Sequence, residues 1–193
     1  MIETRDFSVR AYMARSTAVF IGDTFGEQEL DRILKEVSPG ARSAATSLKP
    51  AEWCPVVGFA ELLRALAGKA NGNPEHARDS LVACGEFIAR EATNTFLKIV
   101  MRMLTPGLLA KKLPDLWKRD CSGGTFEVSA ADNKLVLRLA GMNGFDHVPC
   151  TSAGFVKFAL TTMGKTVEQV QIHNWSLTNP CADGARIELT WKA

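Results

Sequence analysis

The sequence lacks the long apolar runs and the one-sided charge that mark several classes of protein. No stretch approaches the roughly 20 consecutive apolar residues of a membrane-spanning helix, and the first residues show no secretory signal. The 23 Lys and Arg residues nearly balance the 21 Asp and Glu residues, and both signs are scattered along the chain. This pattern argues against nucleic acid as a partner. We therefore expect a cytoplasmic protein without a membrane span.

Cysteine and histidine are too few and too widely spaced to form a recognisable catalytic or metal site. No CxxC pair is present, so we expect neither a disulfide framework nor a zinc site. No HxxxH, HExxH or GxSxG motif occurs either, so we predict that the chain is not an enzyme. The weakest hypothesis that remains is catalysis by Cys181 or by a His147–Cys150 pair. The cysteines of the sequence are Cys54, Cys84, Cys121, Cys150 and Cys181, and the histidines are His76, His147 and His173.

The remaining composition is that of a single globular domain. The chain has 193 residues, of which 46% are hydrophobic and 23% are charged, the usual balance of a protein with a sizeable core. We predict one domain over residues 1–193. Residues 1–119 form a mainly helical half, and residues 123–193 form a half with β-β-α-β-β order.

Hydrophobic periodicity predicts several helices in the first half. Trp53 lies in an extended connection between prolines, over residues 48–55, and we expect it to anchor against the core. Gly85 lies within the longest helix and indicates a close helix contact or an opening to a ligand. Pro114 predicts an interruption in the last helix of this half. The predicted helices cover residues 7–21, 25–37, a short piece through Ala45, 56–66, 74–103 and 108–117.

The second half predicts two strand pairs separated by one helix. A turn at Asp132-Asn133 separates the first two strands, and the helix begins near Thr151. Helices followed by an antiparallel sheet define an α+β fold, with the N-terminal helices packed on a four-stranded antiparallel sheet. The predicted strands cover residues 125–128, 135–139, 167–175 and 185–191, and the predicted helix covers 155–163.

Structural glycines, prolines and tryptophans occur in a recognisable order: Trp53-Cys54-Pro55, Pro106-Gly107-Leu108-Leu109, Leu116-Trp117, Gly123-Gly124, Gly154-Phe155, Met163-Gly164-Lys165 and Leu189-Thr190-Trp191. This order resembles that of a bacterial paralogous family of uncharacterised proteins of about this length. That family is similar to the superfamily that joins 4-vinyl-reductase-type domains, TRAPP vesicle-tethering subunits and haem-NO-binding domains. The resemblance implies a dimer and a small apolar ligand between helices and sheet.

Each branch of this superfamily implies a different site. The haem-NO-binding branch relies on a Tyr-x-Ser-x-Arg signature and a proximal histidine, and the segment after the only tyrosine, Tyr12-Met13-Ala14-Arg15, does not match it. We therefore predict no cofactor, and in particular we do not expect haem. The 4-vinyl-reductase branch implies a cysteine between the last two strands, where Cys181 lies. A TRAPP-like acylated cysteine would correspond to Cys84.

These considerations predict a non-enzymatic sensory or regulatory module that binds a small hydrophobic molecule between the long helix and the sheet. The predicted lining joins one thiol with aromatic side chains on facing elements, although the same side chains would also serve as plain core. The lining residues are Cys84, Phe87, Phe96, Phe155 and Phe158.

The alternative is a protein-interaction scaffold that dimerises through its helices and binds no ligand. An exposed apolar helix face would be its signature. The N-terminal helix is the candidate, because it is rich in alanine and ends in Phe20-Ile21. The partner would then be a second copy of the chain or another protein.

Overall fold

The computed structural model describes residues 7–180 and 184–192, without the side chains of Phe96 and Leu97. Its helices are α1 (Ala11–Phe25), α2 (Glu27–Glu36), α3 (Pro39–Thr46), α4 (Val56–Gly68), α5 (Pro74–Ala92), α6 (Thr95–Arg102), α7 (Pro106–Asp120) and α8 (Val148–Thr162). Its strands are β1 (Ser8–Arg10), β2 (Trp53–Pro55), β3 (Thr125–Ala131), β4 (Lys134–Ala140), β5 (Thr166–His173) and β6 (Arg186–Lys192). The predicted α+β class is confirmed.

The C-terminal half forms the predicted β-β-α-β-β unit. Its four strands pair antiparallel in the order β3-β4-β6-β5, and α8 joins β4 to β5. The predicted turn contains Asp132 at φ 51°, a left-handed conformation that Asp and Asn tolerate better than most residues. Alternate residues of β4, Leu135, Leu137 and Leu139, are fully buried. One face of the sheet therefore packs into the core, with α7 against β3 and α8 against β5.

The first predicted helix begins later than expected, because residues 8–10 form a strand. β1 pairs antiparallel with β2, and Val9 lies opposite Cys54. Side chains alternate along a strand, so the buried Cys54 leaves Trp53 outside with 42% of its surface exposed. The prediction that Trp53 anchors against the core was therefore wrong. Its ring instead stacks under Arg10, with the guanidinium carbon 3.8 Å from the ring centroid.

The long helix predicted over residues 74–103 is two helices. α5 begins at an N-cap, where the Asn73 side chain accepts hydrogen bonds from the backbone N–H groups of Glu75 and His76 at 3.0 and 3.2 Å. It ends where Thr93 adopts an extended conformation, with φ −107° and ψ 107°. The apolar pattern continues into α6, which is why the periodicity did not reveal the break.

The interruption predicted at Pro114 does not occur. α7 runs through this residue to Asp120, after an N-cap in which the backbone N–H of Leu108 donates to the Thr105 side chain at 3.3 Å. Proline removes one helical hydrogen bond. Burial of Leu109 and Leu113 on the same helix offsets that loss.

The backbones of α5 and α8 approach each other at two glycines. A Cβ atom added at Gly85 would lie 2.1 Å from the carbonyl oxygen of Thr151, and one added at Gly154 would lie 2.0 Å from that of Val82. No side chain fits at such distances, so both positions require glycine. The close contact that Gly85 predicted is present. It fixes α8 against α5 beside the cavity described below.

The N-terminal helix packs inside the fold. Its apolar stripe, which includes Ala11, Ala14 and Ile21, is buried, and Phe20 packs edge-on against Phe87 with ring centroids 5.7 Å apart. Val19 and Phe25 of the same helix are 50% and 38% exposed, so dimerisation through this helix stays a prediction. None of the described helices has both the length and the hydropathy of a membrane span. The single-domain assignment of residues 1–193 stays a prediction.

Candidate functional site

A cavity of about 70 Å³ lies where the helical half meets the C-terminal half. We call it the apolar cavity, because most of its walls are aliphatic or aromatic side chains. Trp117 is held in the wall by stacking on Phe126, with ring centroids 5.0 Å apart, and its Nε1 donates to the Gly123 carbonyl at 3.0 Å. Other wall residues include Phe59, Gly85, Ile88, Leu113, Leu116, Val148, Phe155 and Val156.

Tyr12 and Asp120 form a polar part of the wall of the apolar cavity, and Arg119 pairs with Asp120 from outside this lining. The Tyr12 hydroxyl donates to Asp120 Oδ2 at 3.1 Å, and the Arg119 guanidinium donates to both Asp120 oxygens at 2.9 and 2.7 Å. Burial, followed by the negative charge of Asp120, raises the pKa of Tyr12. Tyr12 therefore stays neutral and remains a hydrogen-bond donor at all ordinary pH values.

The thiol in this cavity is protonated. Cys121 follows Asp120 at the end of α7 and is buried. Burial raises the pKa of its thiol, and the negative charge of Asp120 raises it further. A nucleophilic cysteine needs the opposite shift, so Cys121 is not activated for covalent catalysis.

A larger cavity of about 650 Å³ lies beside the first. We call it the arginine cavity, because Arg10, Arg15 and Arg119 line it together with apolar side chains such as Val19 and Phe87. Several of its wall residues are exposed, so the cavity is accessible from solvent. Its volume is within the range of about 300–1,000 Å³ that is typical of small-molecule sites.

Tyr12 and Asp120 line both cavities. The hydrogen bond between their side chains joins α1 to the end of α7, across 108 positions of the sequence. These two residues are therefore the partition between an apolar space and a positively charged one.

The structure separates the predicted aromatic lining residues. Phe155 lines the apolar cavity, whereas Phe87 lines the arginine cavity. Phe158 is half-buried on α8 and lies outside both linings. The side chain of Phe96 lies outside the described part of the structure. A role in ligand binding stays a prediction for all four residues.

The predicted thiols do not meet at a site. Cys84 is fully buried, and its Sγ lies 3.6 Å from Thr17 Oγ1, away from both cavity linings. Burial raises the pKa of this thiol to about 12. Cys181 lies outside the described residues. The acylation or reactivity assigned to these two cysteines stays a prediction.

The histidines are dispersed, as their spacing suggested. His147 caps the start of α8 in a left-handed conformation, and burial lowers its pKa to about 4. Its Nδ1 has no hydrogen-bond partner among the described residues, and its ring lies edge-on to Trp175. Burial raises the pKa of Cys150, so a His147–Cys150 nucleophile has no thiolate to use. His76 and His173 are exposed.

The charged and polar residues that line the two cavities were not predicted as site residues. Arg10, Arg15 and Asp120 carried no motif, and Tyr12 was noted only as a mismatch to a signature. They come from β1, α1 and α7, so no local spacing could have grouped them. Within the described ranges, no group of three or more His, Cys, Asp or Glu side chains could hold a metal ion.

Comparison with solved structures identifies the fold. The chain is similar to the Fe(II) unliganded H-NOX protein from K. algicida, with a TM-score of 0.71, 11% identity and coverage of 95% of this chain and 97% of that one. It is also similar to an H-NOX protein from S. oneidensis in the Fe(II)NO state, with a TM-score of 0.59, 12% identity and coverage of 95% and 99%. No family model and no curated protein sequence matches the chain. The chain has the H-NOX fold.

The comparison corrects the prediction about the cofactor and favours one of the three branches in the resemblance. The prediction of no cofactor, with haem counted out, was wrong, because the fold is that of proteins solved with Fe(II). A third similar structure concerns haem redox potential and porphyrin distortion, with a TM-score of 0.53, 12% identity and coverage of 95% and 99%. Of the three branches in the resemblance, these structures support the haem-NO-binding one and give no support to the 4-vinyl-reductase or TRAPP branches.

Proposed function

We propose that this chain is a non-enzymatic sensor domain that holds a haem between its helical half and its C-terminal half. The observation that carries the proposal is the apolar cavity at that junction, in a chain with the fold of Fe(II)-containing H-NOX proteins. Haem iron, when bound, supplies a coordination position for a small gas molecule. The protein would supply an apolar environment around the haem and a polar wall on one side of it.

The side chains around the apolar cavity include donors of the types that ligate haem iron. Methionine, tyrosinate and cysteine thiolate serve as ligands of haem iron, and Met13, Tyr12 and Cys121 line this cavity. Burial keeps Tyr12 and Cys121 protonated, so each would have to release its proton to bind the iron, whereas Met13 would not. Histidine is absent from the described lining. Met13, Tyr12 or Cys121 would therefore hold the iron, in place of the histidine of the family signature.

The apolar cavity must enlarge before it can hold a haem. Its volume of about 70 Å³ is well below the roughly 300–1,000 Å³ of small-molecule sites. The larger arginine cavity lies directly behind Tyr12 and Asp120.

The state of the thiols supports a role without catalysis. Burial raises the pKa of Cys121 and Cys150 and leaves both protonated. The pKa of His147, lowered to about 4, leaves that residue a weak base away from either cavity. The alternative of a dimeric scaffold stays a prediction, as does cytoplasmic localisation.

Titration of the purified protein with haemin tests the proposal. We expect saturable binding of one haem per chain, seen as a Soret band distinct from that of free haemin, and a further spectral shift when NO is added to the reduced complex. Cys121→Ser, Met13→Leu and Tyr12→Phe would then identify the axial ligand, because loss of that ligand changes the spectrum.

A pair of variants on α8 tests whether haem binds in the apolar cavity. Ser152→Phe places a ring in the cavity and should weaken haem binding about tenfold or more, since overpacking costs about 1–3 kcal/mol. Thr161→Phe is the control, because residue 161 is exposed on the same helix. Absence of a Soret shift in the wild type, or equal weakening by both variants, would overturn the proposal.

A further inference from the structure

The arginine cavity holds positive charge that no described carboxylate neutralises at Arg10 and Arg15. Arg10 donates from Nε to the Arg119 carbonyl at 3.3 Å and from Nη1 to the Ala51 carbonyl at 2.7 Å. Arg15 donates from Nη1 to the carbonyls of Thr46 and Leu48 at 3.3 and 2.9 Å. All four acceptors are neutral, so both guanidinium groups keep their full charge.

Both guanidinium groups retain free donors. Each guanidinium has five N–H donors, and the carbonyl contacts of Arg10 and Arg15 use two of the five in each case. The stacking of Arg10 on Trp53 and the two carbonyls at Arg15 also restrict the positions of these side chains. Fixed guanidinium groups with free donors bind carboxylates through charge-assisted hydrogen bonds.

The third arginine contributes less, because it already has a partner. Arg119 forms a bidentate ion pair with Asp120, which neutralises it. Glu91 is an exposed residue of the same lining and brings one negative charge to it. The excess charge of the cavity is therefore small, which favours a ligand with one carboxylate over a multiply charged anion.

The same cavity also has an apolar wall. Phe87 is buried, held edge-on by Phe20, and lines the cavity together with Val19 and Ala92. A purely polar anion would leave this apolar surface in contact with water. A ligand with both a carboxylate and an apolar portion would cover it.

We propose that the arginine cavity is a binding site for an amphipathic organic monocarboxylate. Its carboxylate contacts Arg10 and Arg15, and its apolar portion packs on Phe87 and Val19. The site is distinct from the proposed haem site: only Tyr12 and Asp120 belong to both linings. A chain that fails to bind haem could still bind such a carboxylate, and the reverse also holds.

Calorimetric titration with three probes tests the ligand class. Octanoate should bind saturably, whereas octan-1-ol, which has the same chain without charge, and inorganic phosphate, which has charge without a chain, should bind about tenfold more weakly or not at all. Equal binding of octan-1-ol would show that the arginines are not used. Equal binding of phosphate, or no binding of octanoate, would also overturn the proposal.

Matched variants locate the site. Arg15→Gln should weaken octanoate binding about tenfold, because one charged hydrogen-bond partner is lost. Arg42→Gln is the control: Arg42 also donates to two backbone carbonyls, those of Leu34 and Lys35, but lines neither cavity. Equal weakening by both variants would contradict the proposed position.

Two further variants keep the test valid if Arg15→Gln fails to fold. Val19→Glu adds a negative charge at a position that is 50% exposed and should weaken octanoate binding by about fivefold. Glu91→Gln removes a negative charge and should strengthen binding. Unchanged affinity in both variants would place octanoate elsewhere. The cavity-filling Ser152→Phe variant should bind octanoate as the wild type does.

Discussion

The two cavities share a wall but are built in different ways. The apolar cavity lies between helices whose backbones meet at Gly85 and Gly154, and its lining is mostly buried. The arginine cavity includes exposed side chains such as Val19 and Arg119 in its lining. Side chains around the first are constrained by close packing, whereas side chains around the second can change at little cost to folding.

Because of this difference, substitutions around the two cavities are expected to affect different quantities: folding stability at the apolar cavity and ligand choice at the arginine cavity. Substitutions around the apolar cavity alter the packing that holds α5, α7 and α8 together, so their effects on binding and on folding are mixed. Substitutions of the exposed residues around the arginine cavity, such as Val19 and Arg119, change charge and surface with little effect on the core. The arginine cavity is therefore the better place to test ligand class.

The largest expected effect comes from the closest packing beside the apolar cavity. Gly85→Ala should destabilise the protein by more than about 4 kcal/mol, in the tail of measured effects, because its Cβ would lie 2.1 Å from the Thr151 carbonyl oxygen. Gly107→Ala is the control, since no atom lies within 4 Å of its added Cβ. Urea unfolding of both variants measures the difference, and similar stabilities would show that α5 and α8 are not in contact there.

A second pair of variants compares the two linings directly. Leu113→Ala, in the apolar cavity, should cost about 2–5 kcal/mol, because it enlarges a void among buried side chains. Val19→Ala, in the arginine cavity, should change stability by no more than about 0.5 kcal/mol, because half of Val19 is already exposed. Equal losses in thermal or urea unfolding would contradict the distinction between the cavities.

The smallest expected effect lies in the shared wall. Tyr12→Phe removes one hydrogen bond to Asp120 and should cost about 0.5–1.5 kcal/mol at neutral pH. Folding raises the pKa of Tyr12 above the ordinary value of 10.0, so above that pH the unfolded chain releases a proton that the folded chain keeps. Wild-type stability then falls as pH rises, and the variant lacks this loss.

The deficit of Tyr12→Phe relative to wild type should therefore shrink above about pH 10. Unfolding measured in urea at pH 7, 9 and 10.5 tests this. Subtraction of the two curves removes the alkaline titration of the cysteines and lysines, which both proteins share. A constant deficit across this range would mean that Tyr12 ionises equally easily in both states.

Local pattern was sufficient for most of the fold. The alternating leucines of β4, the turn at Asp132 and the apolar stripe of α1 are each read from neighbouring residues, and each was predicted correctly. Errors occurred where the pattern was too short or too uniform. β1 is a three-residue strand, and the apolar spacing continues across the break between α5 and α6.

The candidate site could be predicted only in fragments. Phe155 and Phe87 do line cavities, but two different ones, because Phe87 lies on a different side of α5 from Gly85 and Ile88, which line the same cavity as Phe155. Cys84 shares a helix with both Gly85 and Phe87, yet its side chain points to Thr17. Spacing along one helix predicts which residues share a face, but it does not predict which element or cavity that face contacts.

The sequence by itself determined the α+β class and most element positions, because helical and strand periodicities are properties of adjacent residues. It marked Gly85 as either a close helix contact or an opening to a ligand, and the structure shows the contact. Only the tertiary structure decided that Tyr12 meets Asp120, 108 positions away, and that Arg10 and Arg15 face one cavity. Such contacts depend on how whole helices pack, and packing joins residues that no local pattern relates.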